Sequence, residues 1–421
     1  MMTRPIHHTF APLADRRQVL SALAWILRGW KGRKLARLQL MNALEERFGG
    51  RAFLFASGRE ALLALFQGDP ERFRKGDEVI VQGYTCVVVP NAVQAAGLVP
   101  MYADIEKATL SLDPQAVERA ITPRTKAVLC QHTFGIPAPV AALREICDRH
   151  NLLLIEDCAH ILPDDRGPED VGSRGDALLL SFGRDKAISG ITGGAIVVRT
   201  RPAASLLRDY EQQTTSLPRN VILRLLLYPL LYTLARPLYG IGAGKLMLAA
   251  ARSLRLLLPI VTGEEKHGKQ GMVLHAMPEP CAALALQQWR NLRAINDHRR
   301  MLTGTYLQAC AAHGWGVLHG IRSDLPLQKF PLFMKDAKKI RRELKQRNIH
   351  LNDGWTGCVV CPADVRVDEV GYRKGTDPRA EEACEEILTL PTHTGMRMKD
   401  AERLIRALHP FLQEHRLDGL E

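Results

Sequence analysis

The chain has 421 residues, 46% hydrophobic and 24% charged, with 57 Lys and Arg against 45 Asp and Glu and a formal net charge of +12. That length accommodates two or three domains around a substantial core, and the composition excludes a disordered or fibrous chain. The basic surplus favours an anionic partner, but no C2H2, RRM or helix-turn-helix signature accompanies it, so nucleic acid is not expected.

Along the chain, residues 1–48 read as an N-terminal helical arm. Within it, 16–48 has the spacing of two helices broken at Gly29 to Gly32, and it carries Trp25, Trp30, Lys31, Arg33 and Lys34. Residues 49–277 read as a large α/β domain. Short apolar runs (Val79-Ile80-Val81, Val99 to Tyr102, Ala127 to Cys130, Leu152 to Ile155, Leu178 to Ser181, Ala195 to Val198) alternate there with amphipathic segments such as Pro114–Ala120 and Val140–His150. This alternation predicts a mostly parallel central sheet with helices on both faces, and ligands in such sheets bind beyond the carboxyl ends of the strands.

The stretch 221–261 differs: it is leucine-rich, with Pro229, Pro237 and Pro259 as breakers. No uninterrupted apolar run reaches the roughly 18–20 residues of a membrane span, so two short helices turning near Gly240 to Gly244 are expected. Residues 278–421 read as a smaller C-terminal α+β domain, with one long helix over 278–311, a strand-and-helix region, and a terminal helix over 399–412. The nine cysteines are irregularly spaced and read as reduced thiols. Cys358-x-x-Cys361 has no second half, so no metal site is expected. No apolar h-region follows the first basic residues, and a cytoplasmic protein is expected.

Two of the predicted strands carry chemistry at their ends. One ends in Glu156-Asp157-Cys158-Ala159-His160; the next leads into Ser181-Phe182-Gly183-Arg184-Asp185-Lys186, shortly before Gly193-Gly194. An amine that can form a Schiff base and a carboxylate that keeps a pyridine nitrogen protonated are what pyridoxal phosphate chemistry requires. Asp157 also reads as a helix N-cap, and His160 as a satisfied core histidine or a group beside the cofactor. The glycines at 193 and 194 would permit close approach of backbone to a flat cofactor. Ser57-Gly58-Arg59 joins a strand to a helix, whose first N–H groups bind phosphate well, with Arg59 adding charge.

The order Ser57-Gly58-x-x-Ala61-Leu62, Gly76-Asp77-Glu78, Ile121-Thr122-Pro123-Arg124, His132-x-x-Gly135, Glu156-Asp157-x-Ala159-His160 and Ser181-Phe182-x-x-x-Lys186 resembles the DegT/DnrJ/EryC1/StrS aminotransferases. The resemblance implies a fold-type I pyridoxal-phosphate enzyme, a homodimer that moves an amino group from an amino acid, most often glutamate, to a keto-sugar. It implies Lys186 as Schiff-base lysine and proton shuttle, Asp157 as partner of the ring nitrogen, and His160 beside the ring. Ser181 and Ser57-Gly58-Arg59 would contact the phosphate. Lysine rather than histidine at 186 favours the aminotransferase branch over the sugar dehydratases.

Three positions depart from the pattern. Arg59 stands where threonine is usual. Thr85 is followed by Cys86 instead of an aromatic residue, so either Tyr84 supplies the stacking ring or stacking is weaker. The usual Gly-x-Asn-x-Arg-Met loop is replaced by Met272 to Met277. These departures motivate the alternative of a cofactor-binding sensor or scaffold without turnover. Relative to the family, 221–261 is an insertion: either a hairpin covering the dimer interface or the mouth of the site, or a peripheral attachment to the inner face of a membrane. Attachment would make a lipid-linked sugar the acceptor in place of a nucleotide-linked one.

Overall fold

The structure, a computed structural model, describes residues 4–8, 15–29, 35–271, 273–351 and 354–413. Trp30, Lys31, Arg33, Lys34 and Met272, all singled out above, lie outside the described residues.

The central sheet contains β1 (Arg51–Phe55), β2 (Glu78–Gln82), β3 (Val99–Ala103), β4 (Thr125–Gln131), β5 (Leu153–Asp157), β6 (Ala177–Ser181), β7 (Gly194–Val198), β8 (Thr215–Ser216) and β9 (His275–Ala276). Their spatial order is β8-β9-β1-β7-β6-β5-β4-β2-β3. Strands β3, β2, β4, β5 and β6 are parallel neighbours. Each of the six apolar runs became one of these strands or β7, because a sheet covered on both faces accepts consecutive buried aliphatic residues. Val79, Ile80 and Val81 are buried, as are Leu178, Leu179 and Leu180.

Three strands run opposite to the parallel set, β7 and the edge pair β9 and β8. β7 lies antiparallel between β6 and β1. The connection 182–193 contains no helix, and a short connection can only return the chain antiparallel. It is pinned as a closed loop, with Phe182 N–H donating to Gly193 O at 2.8 Å and Gly190 N–H to Phe182 O at 2.9 Å. Lys186 therefore sits within a loop fixed at both ends.

The stretch after β8 forms a helix over Arg219–Leu238 and a second over Ala243–Ser253. Here two expectations are corrected. Pro229 and Pro237 lie inside the first helix instead of ending it. That helix is also long and apolar enough, by length and composition, to cross a membrane. An interior proline costs a hydrogen bond and a steric clash. Burial of Leu225, Leu226, Tyr228 and Ala235, in one apolar cluster with Ala22 and Leu248, offsets that cost. The turn falls where expected, with Gly242 in the left-handed region at φ 85°.

The C-terminal part also departs in one element. The single helix expected over 278–311 is two, Glu279–Trp289 and Leu292–His313, with a break at Arg290 and Asn291. The first packs on helix Ala36–Phe48 and the second on Met398–Gln413. Strand Lys329–Phe333 pairs antiparallel with Ile387–Pro391 over an apolar cluster that joins Phe330, Leu332, Leu388 and Leu404 to Tyr84, Ile105 and Phe134 of the large α/β part. Ile6–His7 adds to this part as a parallel partner of Ile349–His350. Val360–Cys361 pairs with Thr85–Cys86, which carries the segment around Trp355 to the edge of the large sheet.

Candidate active site

Gln131, Asp157 and Ser181 end three adjacent parallel strands, with Gln131 and Leu179 both in register with Asp157. A cavity of about 650 Å³ opens at that edge. Strand alternation sends the two carboxylates of Glu156-Asp157 to opposite faces. Asp157 faces the cavity; Glu156 turns away and accepts the amides of Gly172 at 2.7 Å and Arg174 at 2.9 Å, with His132 Nε2 at 3.1 Å. Glu156 and His132, with Cys158, are the one cluster of potential metal ligands among the described residues. His132 and Glu156 are both engaged by protein partners, as His132 Nδ1 accepts the Ala138 N–H at 3.1 Å. These bonds hold the Glu156 carboxyl low despite its burial.

Asp157 is 4% exposed, and among the described residues its one hydrogen-bond donor is the Ala159 amide, 2.9 Å from Oδ1. Burial pushes its carboxyl group up; the Ala159 amide and the Lys186 charge oppose this. His160 Nδ1 accepts the Phe134 N–H at 3.2 Å, so any ring proton is on Nε2. Burial, Lys186 and Lys329 hold this imidazole well below its ordinary pKa, in the neutral form. The ring stacks on Phe134 at 5.9 Å and meets Trp355 edge-on at 5.2 Å.

Ser57 caps the helix Gly58–Gln67, its Oγ accepting the Glu60 N–H at 3.3 Å. A Cβ at Gly58 would lie 3.2 Å from Ser181 Cβ, and one at Gly194 would overlap the Gly58 backbone. Gly194 thus lets β7 approach the Ser57-Gly58 turn, while Gly193 lines the cavity and a Cβ there would overlap the Met277 side chain.

Ser57, Gly58, Arg59, Cys86, Asp157, His160, Ser181 and Lys186 all line the one cavity. Tyr84 does not: it is fully buried, with its hydroxyl donating to Trp355 O at 3.0 Å. The aromatic ring on the cavity wall is that of Trp355. Arg59 lines the cavity, but its guanidinium pairs with Glu265 and donates to Ile260 O at 2.8 Å. Its charge is thereby matched by a carboxylate of the protein.

Sequence reasoning assigned no role to Trp355, Gln131, Arg184 or Glu265. Gln131 follows an apolar run at a strand end, a signal equal to that of Asp157. Trp355 stands far along the chain with no motif around it.

The site fits pyridoxal phosphate on its own chemistry. A buried carboxylate with a single protein donor can take the N–H of a protonated ring, a lysine lies in the same cavity, and a capped helix N-terminus beside two serines can take a phosphate.

The model of the DegT/DnrJ/EryC1/StrS aminotransferase family matches residues 24–218 and 263–409. The match breaks over 219–262, the two-helix segment. The chain is 41% identical over 154 residues to the "erythromycin biosynthesis sensory transduction protein EryC1" of Saccharopolyspora erythraea, covering 36% of this chain and 40% of that one. It is 41% identical over 136 residues to an L-glutamine:2-deoxy-scyllo-inosose aminotransferase of Streptoalloteichus tenebrarius, covering 32% and 31%. The chain thus spans less than half the length of these relatives. Helicobacter pylori PseC, an aminotransferase of pseudoaminic acid biosynthesis, superposes with a TM-score of 0.72 at 18% identity over 99% of both chains, which shows the shared fold.

Proposed function

Because the chain belongs to the DegT/DnrJ/EryC1/StrS aminotransferase family, we propose that it binds pyridoxal phosphate in the Lys186 cavity and transfers an amino group from an amino acid, glutamate in the first instance, to a keto-sugar. The observation that carries this reading is the placement of Lys186 and Asp157 in one cavity, the latter buried with a single protein hydrogen bond.

When bound, the cofactor supplies an aldehyde that captures the amino group and a ring that withdraws electrons from the reacting carbon. Asp157 would hold the proton on the ring nitrogen, an ion pair that would also compensate the burial of its charge. The amides at the start of helix Gly58–Gln67, with the Ser57 and Ser181 hydroxyls, would hold the phosphate. Lys186 Nζ would act as the general base that takes the donor's α-proton and as the acid that hands it on. Neutral His160, fixed through Nδ1, presents a donor at Nε2 and, with Trp355, packs one side of the cavity against water.

The test is spectral and chemical. Purified protein loaded with cofactor should show its visible band, and glutamate should bleach it. Lys186→Ala should bind cofactor without forming that band. A wild-type band that persists with glutamate, glutamine and other amino acids would overturn amino transfer and favour the sensor or scaffold reading.

A further inference from the structure

We propose that residues 217–262 bind the hydrocarbon chain of an amphiphilic acceptor and rest on the anionic lipid surface that supplies it. The acceptor half of this inference rests on the amino-transfer reading; the surface half does not.

The first observation is the cavity wall. The same cavity as Lys186 and Asp157 is lined in part by Leu217, Val221, Leu225, Leu258, Ile260 and Val261. All six come from the segment that the family match skips or from its edge. A sugar offers hydroxyls and needs polar partners in a buried site, because polar groups left unpaired on burial are costly. This wall offers methyl groups, so the part of the acceptor that lies against it is apolar.

Two arginines hold the wall in place. Arg184, two residues before Lys186, donates to Leu258 O at 2.7 Å and places its guanidinium 4.3 Å from the centre of the Tyr228 ring. Arg59 donates to Ile260 O and pairs with Glu265 just beyond the segment. The segment is therefore built into the site.

The second observation is its outer face. Leu246 is 73% exposed, Leu254 71%, Leu234 61% and Ile241 58%. Ile260, which lines the cavity, is itself 48% exposed. Large exposed apolar residues concentrated in one segment mark an interaction surface. Residues 219–262 also carry Arg219, Arg224, Arg236, Lys245, Arg252 and Arg255 and no Asp or Glu. Apolar side chains interleaved with cations and free of anions complement the interface of an anionic bilayer. Helix Arg219–Leu238 packs against Arg16–Leu27 and Ala243–Ser253, which suits an element lying on the surface rather than one crossing it.

The experiment uses the full chain loaded with cofactor. In flotation with phosphatidylglycerol vesicles it should rise with the lipid; with phosphatidylcholine vesicles alone, or at high salt, the bound fraction should fall. Leu246→Glu with Leu254→Glu should lower lipid binding about tenfold or more, while bleaching of the cofactor band by the amino donor stays unchanged. At the wall, farnesyl diphosphate should bind more tightly than uridine diphosphate, and Val221→Asp and Ile260→Asp should each weaken it about tenfold.

Wild-type protein that stays unbound with phosphatidylglycerol would overturn the surface assignment. So would a dimer that Leu246→Glu with Leu254→Glu dissociates, since the face would then belong to a second copy of the chain. Equal binding of the two diphosphates would overturn the wall assignment. Loss of donor bleaching in the wild type would instead sink amino transfer and leave the flotation result standing.

Discussion

The Arg184 guanidinium lies 4.3 Å from the centre of the Tyr228 ring, which joins the lysine-bearing loop to the helix that sets this chain apart from its family. Tyr228 is buried and Arg184 only 9% exposed, so the contact is sheltered from water. Burial lowers the arginine's pKa, and the Leu258 carbonyl and the ring face together hold the guanidinium.

Arg184→Ala should therefore loosen residues 217–262. A sheltered charged hydrogen bond and a cation–π contact together contribute about 2–4 kcal/mol. Amide hydrogen exchange across Arg219–Leu238 should accelerate while exchange in β5 and β6 stays slow. Equal acceleration in both regions would mean that Arg184 supports the whole domain.

Asp157→Asn should keep the fold, because the amide oxygen can still accept the Ala159 N–H. It cannot carry the charge that holds a proton on the ring. The amino-transfer rate should fall by about 100–1,000-fold, with cofactor still bound. A loss under tenfold would remove Asp157 from the ring-nitrogen role.

Gly194→Ala tests the contact between β7 and the Ser57-Gly58 turn. The added Cβ overlaps backbone and not a movable side chain, so one of two hydrogen-bonded elements must shift. A destabilisation of about 2–4 kcal/mol is expected in denaturant melts, together with weaker cofactor affinity. Full stability in this variant would show that the turn is loose.

Acid should release the N-terminal strand. His7 and His350 stack at 4.4 Å; burial and the neighbouring His350 lower His7 to about 3, and burial with the charges of Lys245 and Lys345 lowers His350 to about 4, each from 6.5. Below 6.5 the unfolded segment binds protons that the folded one refuses, so stability is present above that pH and is lost as pH falls toward about 4. Protease cleavage after residues 4–8 should rise over that window, and His7→Phe should flatten the dependence. A pH-independent cleavage rate would refute the assignment.

Asp377 has the opposite sign. Burial and the neighbouring Asp104 raise it from 3.8 to about 6. The folded protein holds that proton more tightly than the unfolded chain, so this group's contribution declines as pH rises from 3.8 to about 6 and stays lost above it. Asp377→Asn should raise the melting temperature at pH 7 and leave it nearly unchanged at pH 4. A lower melting temperature at pH 7 would mean that the charge is compensated.

Strand-end chemistry was readable because it is local. Asp157 and Ser181 follow apolar runs too short and too aliphatic to be anything but buried strands, and parallel strands bring their ends together. The Tyr84 expectation failed for a matching reason. Adjacency to Thr85 suggested a ring at the cofactor, but pairing of Thr85–Cys86 with Val360–Cys361 packs Tyr84 behind Trp355. The break at Arg290 and Asn291 carries no proline or glycine and serves packing partners distant in sequence, so no local signal marked it.

The sequence by itself determined the alternating α/β order, the lysine, the buried acid and the family. Each rests on residue types within a few positions of one another, where periodicity and chemistry act directly. Only tertiary structure decided what Arg59 and Arg184 do, that Trp355 faces the cavity, and that 217–262 forms its apolar wall. Those contacts join residues far apart in the chain, and a side chain's partner is set by where the packed backbone brings it, which no local pattern records.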